Sequence, residues 1–138
     1  MKSPTTDEHN PLVSITEFAD DGKLQIIHRY GGGGFSIAKQ PYEGSQLVSM
    51  RKTTSWAATH SDDITFESLK PLIEIENPPE LILFGLGETP MTHLPAIRTQ
   101  LHTLNIKMDV MSTAAACRTW NILLTEGRRA AAAILAID

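Results

Sequence analysis

The chain has 138 residues, 41% hydrophobic and 20% charged, a size and balance that suit one folded domain burying roughly two thirds of its unfolded surface. A net charge of -4 lacks the basic footprint that a nucleic acid or an anionic membrane requires, so neither is an expected partner. One cysteine and no N-glycosylation sequon favour a reducing cytoplasm, the polar start carries no targeting signal, and the longest apolar run, Ala130 to Ile137, falls far short of the roughly 20 residues that cross a bilayer as a helix.

Residues 1–11 are polar and end in Asn10-Pro11, which predicts a flexible N-terminal arm ahead of a single α/β domain over 12–138. Val13 to Phe18 and Leu24 to Ile27 read as strands around an Asp20-Asp21-Gly22 turn. Gly31 to Gly34 follow as a flexible turn. Short strands around Phe35-Ser36-Ile37 and Gln46-Leu47-Val48 are then separated by turn residues Pro41-Tyr42-Glu43-Gly44, and Trp56 is expected to close this small sheet. The period changes after Asp62-Asp63: Phe66, Leu69, Leu72 and Ile73 recur at helical spacing, with Thr65 as a cap and Pro71 as a kink or stop.

The second half is more regular. Leu81-Ile82-Leu83-Phe84 is a continuous apolar run of the kind buried on both faces of a parallel sheet. Leu94, Ile97, Leu101 and Leu104 share a helical face, Pro95 suits a first turn, and Asn105 suits a left-handed end. A strand over Ile106 to Met111 leads to Thr113, read as the N-cap of a helix from about Ala114 to Leu124. Gly127 ends that helix and Ala130 to Ile137 forms the last strand. Right-handed crossovers make the three strands parallel. The expected fold is therefore α/β, one compact three-layer domain with a mixed central sheet, a βαβαβ second half and a β-rich first half.

Ligands of parallel sheets sit beyond the carboxyl ends of the strands, which nominates the loops Gly85 to Pro90 and Met111 to Thr113. Gly85, Gly87, Ser112, Thr113 and Arg118 are the ligand-binding candidates: a helix N-terminus with small side chains, and an arginine one turn on, could hold a small anion. The competing reading is architectural, with alanines and glycines serving tight packing. Gly85-Leu86-Gly87 is not a dinucleotide fingerprint: the third glycine is missing and Pro90 interrupts the turn. Gly31 to Gly34 lack the Lys-Ser or Lys-Thr of a phosphate loop.

Cys117 lies in the first turns of the helix, where a thiol can be activated, but no histidine pattern supplies a base, so it reads as structural or weakly reactive. Asn121 is unfavourable inside a helix and hints at a specific hydrogen bond, provisionally to the Gly85 to Gly87 loop. Arg128 and Arg129 can reach a helix end or a carboxylate. Asp62 to Glu88 hold seven acids against Lys70 alone, a solvated face or an acidic docking surface. No catalytic set and no metal spacing is visible, and no cofactor is implied.

With Tyr30, Phe35, Trp56, the Leu81 to Gly87 run, and above all Met111-Ser112-Thr113-Ala114-Ala115-Ala116-Cys117-Arg118-Thr119-Trp120-Asn121 with Glu126-Gly127-Arg128, the chain resembles the Mth-domain family of unknown function. That family includes mitochondrial complex I assembly factor 3 and the adipogenesis-associated Mth-domain protein. Relatives often have Asp-Thr where this chain has Ser112-Thr113, and tyrosine at Trp120. The resemblance implies a three-layer α/β fold, no accepted catalytic residues, and a protein-binding or assembly role linked to respiratory NADH dehydrogenase (complex I) biogenesis. Bacterial members look cytoplasmic and the eukaryotic ones mitochondrial. The alternative is a small-anion or small-ligand protein or enzyme, with its pocket at the ends of the parallel strands. A protein partner is expected, no membrane insertion is, and a sheet edge leaves a homo-oligomer open.

Overall fold

The structure, a computed structural model, describes residues 24–138. The arm over 1–11 and the strand expected over Val13 to Phe18, with its turn, lie outside these residues. Strands β1 (Ile27–Gly31), β2 (Gly34–Ile37) and β3 (Gln40–Glu43) form a small antiparallel sheet. Gly32 and Gly33, at φ 65° and 83°, make the two-residue turn that demands left-handed backbone at both positions. The residues around Pro41 are not a turn: Pro41 lies in edge strand β3 opposite Ser36, where a missing amide hydrogen is tolerated. Ala38 and Lys39 make the turn instead, at φ 52° and 65°.

The larger sheet orders its strands β5 (Thr53–Ser55), β4 (Gln46–Val48), β8 (Ala130–Ile134), β6 (Leu81–Gly85) and β7 (Lys107–Met111). β6 is parallel to both β7 and β8, while β4 runs antiparallel to β8, so the sheet is mixed. Both faces are covered, and β8 records this in its sequence. Ala130, Ala132 and Ile134 enter one apolar cluster and Ala131, Ala133 and Leu135 the other. With neighbours above and below, small side chains let both outer layers come close.

One outer layer holds α1 (Lys70–Ile73) and α2 (Pro95–His102); the other holds α3 (Thr113–Thr125) and the small sheet. Thr65 is not the N-cap: its hydroxyl accepts from the Ser68 amide at 3.1 Å, but the 3-10 segment Glu67–Leu69 that follows has Phe66 at its N-cap position. Pro71 neither kinks nor stops the element: it occupies the first turn of α1, where no amide hydrogen is needed. Trp56 follows β5 and so belongs to the larger sheet rather than the small one. It packs into the cluster with Leu69 and Leu72, and its indole N–H donates to Ser68 Oγ at 3.0 Å. In α2, Ile97 and Leu101 are buried as expected, but the helix stops at His102, so Leu104 falls off the apolar face and is 46% exposed. Asn105 takes the left-handed conformation, at φ 60°.

Helix α3 and the sheet come close together at Gly85. A Cβ there would lie 2.9 Å from both Ala116 Cβ and Thr113 Cα. Gly85→Ala is therefore expected to cost about 2 kcal/mol of stability through overpacking, read as a lower urea midpoint. An unchanged midpoint would show that the layers are looser than described.

Candidate functional site

The loops after β6 and β7 meet as expected, and what joins them is a buried hydroxyl. Ser112, not Thr113, is the N-cap of α3: its Oγ accepts from the Ala115 amide at 3.2 Å. Thr113 is the first helical residue and is fully buried. Its Oγ1 donates to the Leu135 carbonyl at 2.8 Å and accepts from the Gly87 amide at 3.0 Å. The Thr113 amide donates in turn to the Gly87 carbonyl at 2.8 Å. Leu86 N–H donates to Met111 O, and Leu135 N–H to Gly85 O. The ends of β6, β7 and β8 are thus tied by a closed set of internal bonds.

This uses most of the donors that an anion could take. Of the first amides of α3, Thr113 bonds Gly87 O, Ala115 bonds Ser112 Oγ and Ala116 bonds Ser112 O. Gly85, Gly87, Ser112 and Thr113 are brought together, but Arg118 is not aimed at them. Its guanidinium donates to the Tyr30 hydroxyl at 3.0 Å, on an exposed flank of α3. Larger clefts lie elsewhere, among them one of about 720 Å³ at the start of β7 and one of about 470 Å³ between Met50, Ile75 and Ala131.

Asn121 does make a specific bond, but not to the Gly85 to Gly87 loop, which lies at the other end of α3. Its Oδ1 accepts from the Ile27 amide at 2.9 Å and its Nδ2 donates to the Ile27 carbonyl at 2.8 Å. The carboxamide thereby replaces a neighbouring strand for one residue of β1. At the preceding residue, the Trp120 indole N–H donates to the Gln25 carbonyl at 2.7 Å, in a buried position. Sequence reading finds the mid-helix asparagine but not its partner, because the bond spans 94 positions. Gln25, Ile27 and Tyr30 carry no local signal of their part.

Cys117 is buried against the sheet, 1% exposed. Burial pushes its thiol pKa up from the ordinary 9.0 to about 12, with Arg118 pulling weakly the other way. The thiol is neutral at physiological pH, which suits packing rather than nucleophilic attack. Arg129 and Arg128 do find carboxylates, Glu80 at 3.5 Å and Glu126 at 3.9 Å, both in exposed pairs of small energetic weight. Among the described residues no group of three or more His, Cys, Asp or Glu could hold a metal ion.

Fold and site define a three-layer α/β protein whose signature helix is fastened to a mixed sheet at one end and to a small antiparallel sheet at the other. The family model described as protein of unknown function (DUF498/DUF598) matches residues 27–135, and the chain belongs to that family. NADH dehydrogenase (ubiquinone) 1 alpha subcomplex assembly factor 3 of Xenopus tropicalis is 28% identical over 134 residues, covering 96% of this chain and 73% of that protein. The crystal structure of an outer membrane protein from Bartonella henselae is 31% identical with a TM-score of 0.77, covering 85% of this chain and 98% of that one. A Mth938-like domain from Bordetella pertussis, solved in solution, is 25% identical with a TM-score of 0.70, over 82% and 86% of the two chains. No helix among the described residues is long and apolar enough to cross a membrane.

Thr113→Val keeps the shape but strands the Gly87 amide and the Leu135 carbonyl, and should cost about 2 kcal/mol in denaturant unfolding, with Thr113→Ser close to wild type. Cys117 sets a pH dependence. Its folded pKa is raised, so the neutral thiol's contribution is full below pH 9 and is lost as pH climbs toward 12, where the unfolded chain releases the proton first. Across that window wild-type stability should fall more steeply than that of Cys117→Ala; parallel curves would contradict a buried thiol.

Proposed function

We propose that this chain is a protein-binding assembly module without chemistry of its own, working in the cytoplasm in the biogenesis of respiratory NADH dehydrogenase. The observation that carries this reading is the likeness to NADH dehydrogenase assembly factor 3, which runs along 96% of the chain rather than through one motif. The chemistry of the signature helix supports it. The residues that identify the family spend their hydrogen bonds inside the molecule, and the only cysteine is buried and neutral. A small-anion pocket at Gly85, Gly87, Ser112, Thr113 and Arg118 draws less support, since Thr113 is sealed in the core and Arg118 is turned toward Tyr30.

Affinity capture of the tagged full chain from its native cells is expected to recover a stoichiometric protein partner. Deletion of its gene is expected to lower the amount of assembled NADH dehydrogenase. Capture of no stoichiometric partner, together with unchanged NADH dehydrogenase after deletion, would overturn the reading.

A further inference from the structure

Among the described residues strand β7 is an edge of the larger sheet, and the register says which of its main-chain groups face away from β6. Lys107 N–H donates to Glu80 O and Met111 O accepts from Leu86 N–H, so Lys107, Asp109 and Met111 direct their main chains toward β6. By the alternation of a strand, Met108 and Val110 direct theirs outward. Arg98 confirms the direction, donating to the Met108 carbonyl at 3.3 Å. Val110, half-buried, offers its amide and carbonyl to the outside.

The cleft around the start of this edge, about 720 Å³, is lined by Arg98, His102, Lys107 and Arg128, with Glu80 and Asp109. Glu80 is already paired with Arg129. Arg128 in turn lies 3.9 Å from Glu126, so two cations, Arg98 and Lys107, and a histidine face one uncommitted carboxylate, Asp109, in a chain whose net charge is -4. Cationic side chains can also protect an edge from unwanted pairing. Here the groove reaches along the edge as far as Asp109, and the outward main-chain groups of Val110 follow directly beyond it.

We propose that the β7 edge and its cationic cleft take up an extended, acidic segment of a partner protein as an added strand, with Val110 supplying the main-chain bonds and Arg98, Lys107 and Arg128 the charge recognition. The proposal rests on the protein-binding reading above and names its surface and the partner's chemistry. Arg98 is the gate: an incoming strand that bonds Met108 must displace its guanidinium onto a carboxylate of the segment.

The probe is a short fluorescent peptide of alternating valine and glutamate, titrated into the full chain and followed by anisotropy and by amide NMR. Salt-sensitive binding is expected, with the largest shifts at Met108 and Val110. Affinity should fall about tenfold in Arg98→Glu/Lys107→Glu, the range of two lost surface ion pairs, and that variant should gain affinity for a valine-lysine peptide. N-methylation of the peptide main chain should abolish binding, which tests strand addition without altering the protein. Failure of the glutamate peptide to bind, equal binding of the lysine or methylated peptide to the wild-type protein, or no response to the double substitution would each overturn the proposal. If cells yield a partner while the peptide fails, the surface assignment falls and the assembly reading stands.

Discussion

Helix α3 comes so close to the central sheet at Gly85 that a methyl group there has no room, and this closeness lets one threonine hydroxyl hold three strands together. Thr113 Oγ1 reaches Leu135 O at 2.8 Å and Gly87 N at 3.0 Å only because nothing larger than Gly85 and Ala116 stands between helix and sheet. A hydroxyl with both its donor and an acceptor site satisfied in a buried position stabilises; the same position with one partner removed is costly. The alanines of α3 and of β8 belong to the same constraint, since small side chains on both surfaces bring main chains within hydrogen-bonding range.

The other end of α3 does a different task with similar means. Trp120 and Asn121 bond main-chain groups of Gln25 and Ile27, and Arg118 bonds the Tyr30 hydroxyl, so successive residues of one helix hold the entry to the small sheet. A three-stranded sheet of this size needs packing against something else to be stable. Phe35 and Ile37 supply it by entering the cluster with Cys117, Trp120 and Leu124. The run from Ser112 to Asn121 thus joins both sheets through one helix, its hydrogen bonds made to internal partners.

Period and punctuation made the second half legible from sequence. The Leu81 to Phe84 run, Pro95, Asn105 and Gly127 each act locally, and each stands where elementary chain physics puts it. Local pattern and structure part where a partner distant in sequence decides. Ser112 and Thr113 are both good caps, and only the proximity of Leu135 and Gly87 selects Thr113 for the interior. Ala38-Lys39 is a poor sequence for a left-handed turn and is held there by strand pairing, so Pro41 drew the turn to the wrong place. Strand spacing places Trp56 against the small sheet, whereas it follows β5 of the larger one, because the partition of the short strands between two sheets is a tertiary fact. The cleft beside β7 left no sequence trace at all, since Arg98, Lys107 and Arg128 come from three separate elements or loops.

The molecule invests the distinctive chemistry of its signature helix in holding itself together. The central claim is that the signature helix is a fastener. Native-state hydrogen exchange of the Gly87 and Ile27 amides tests it most directly, because each donates to a side chain of α3. If the account holds, both amides exchange as slowly as those inside β6, opening only when the whole molecule unfolds. Exchange of either at the rate of an exposed loop, while β6 stays protected, would contradict it.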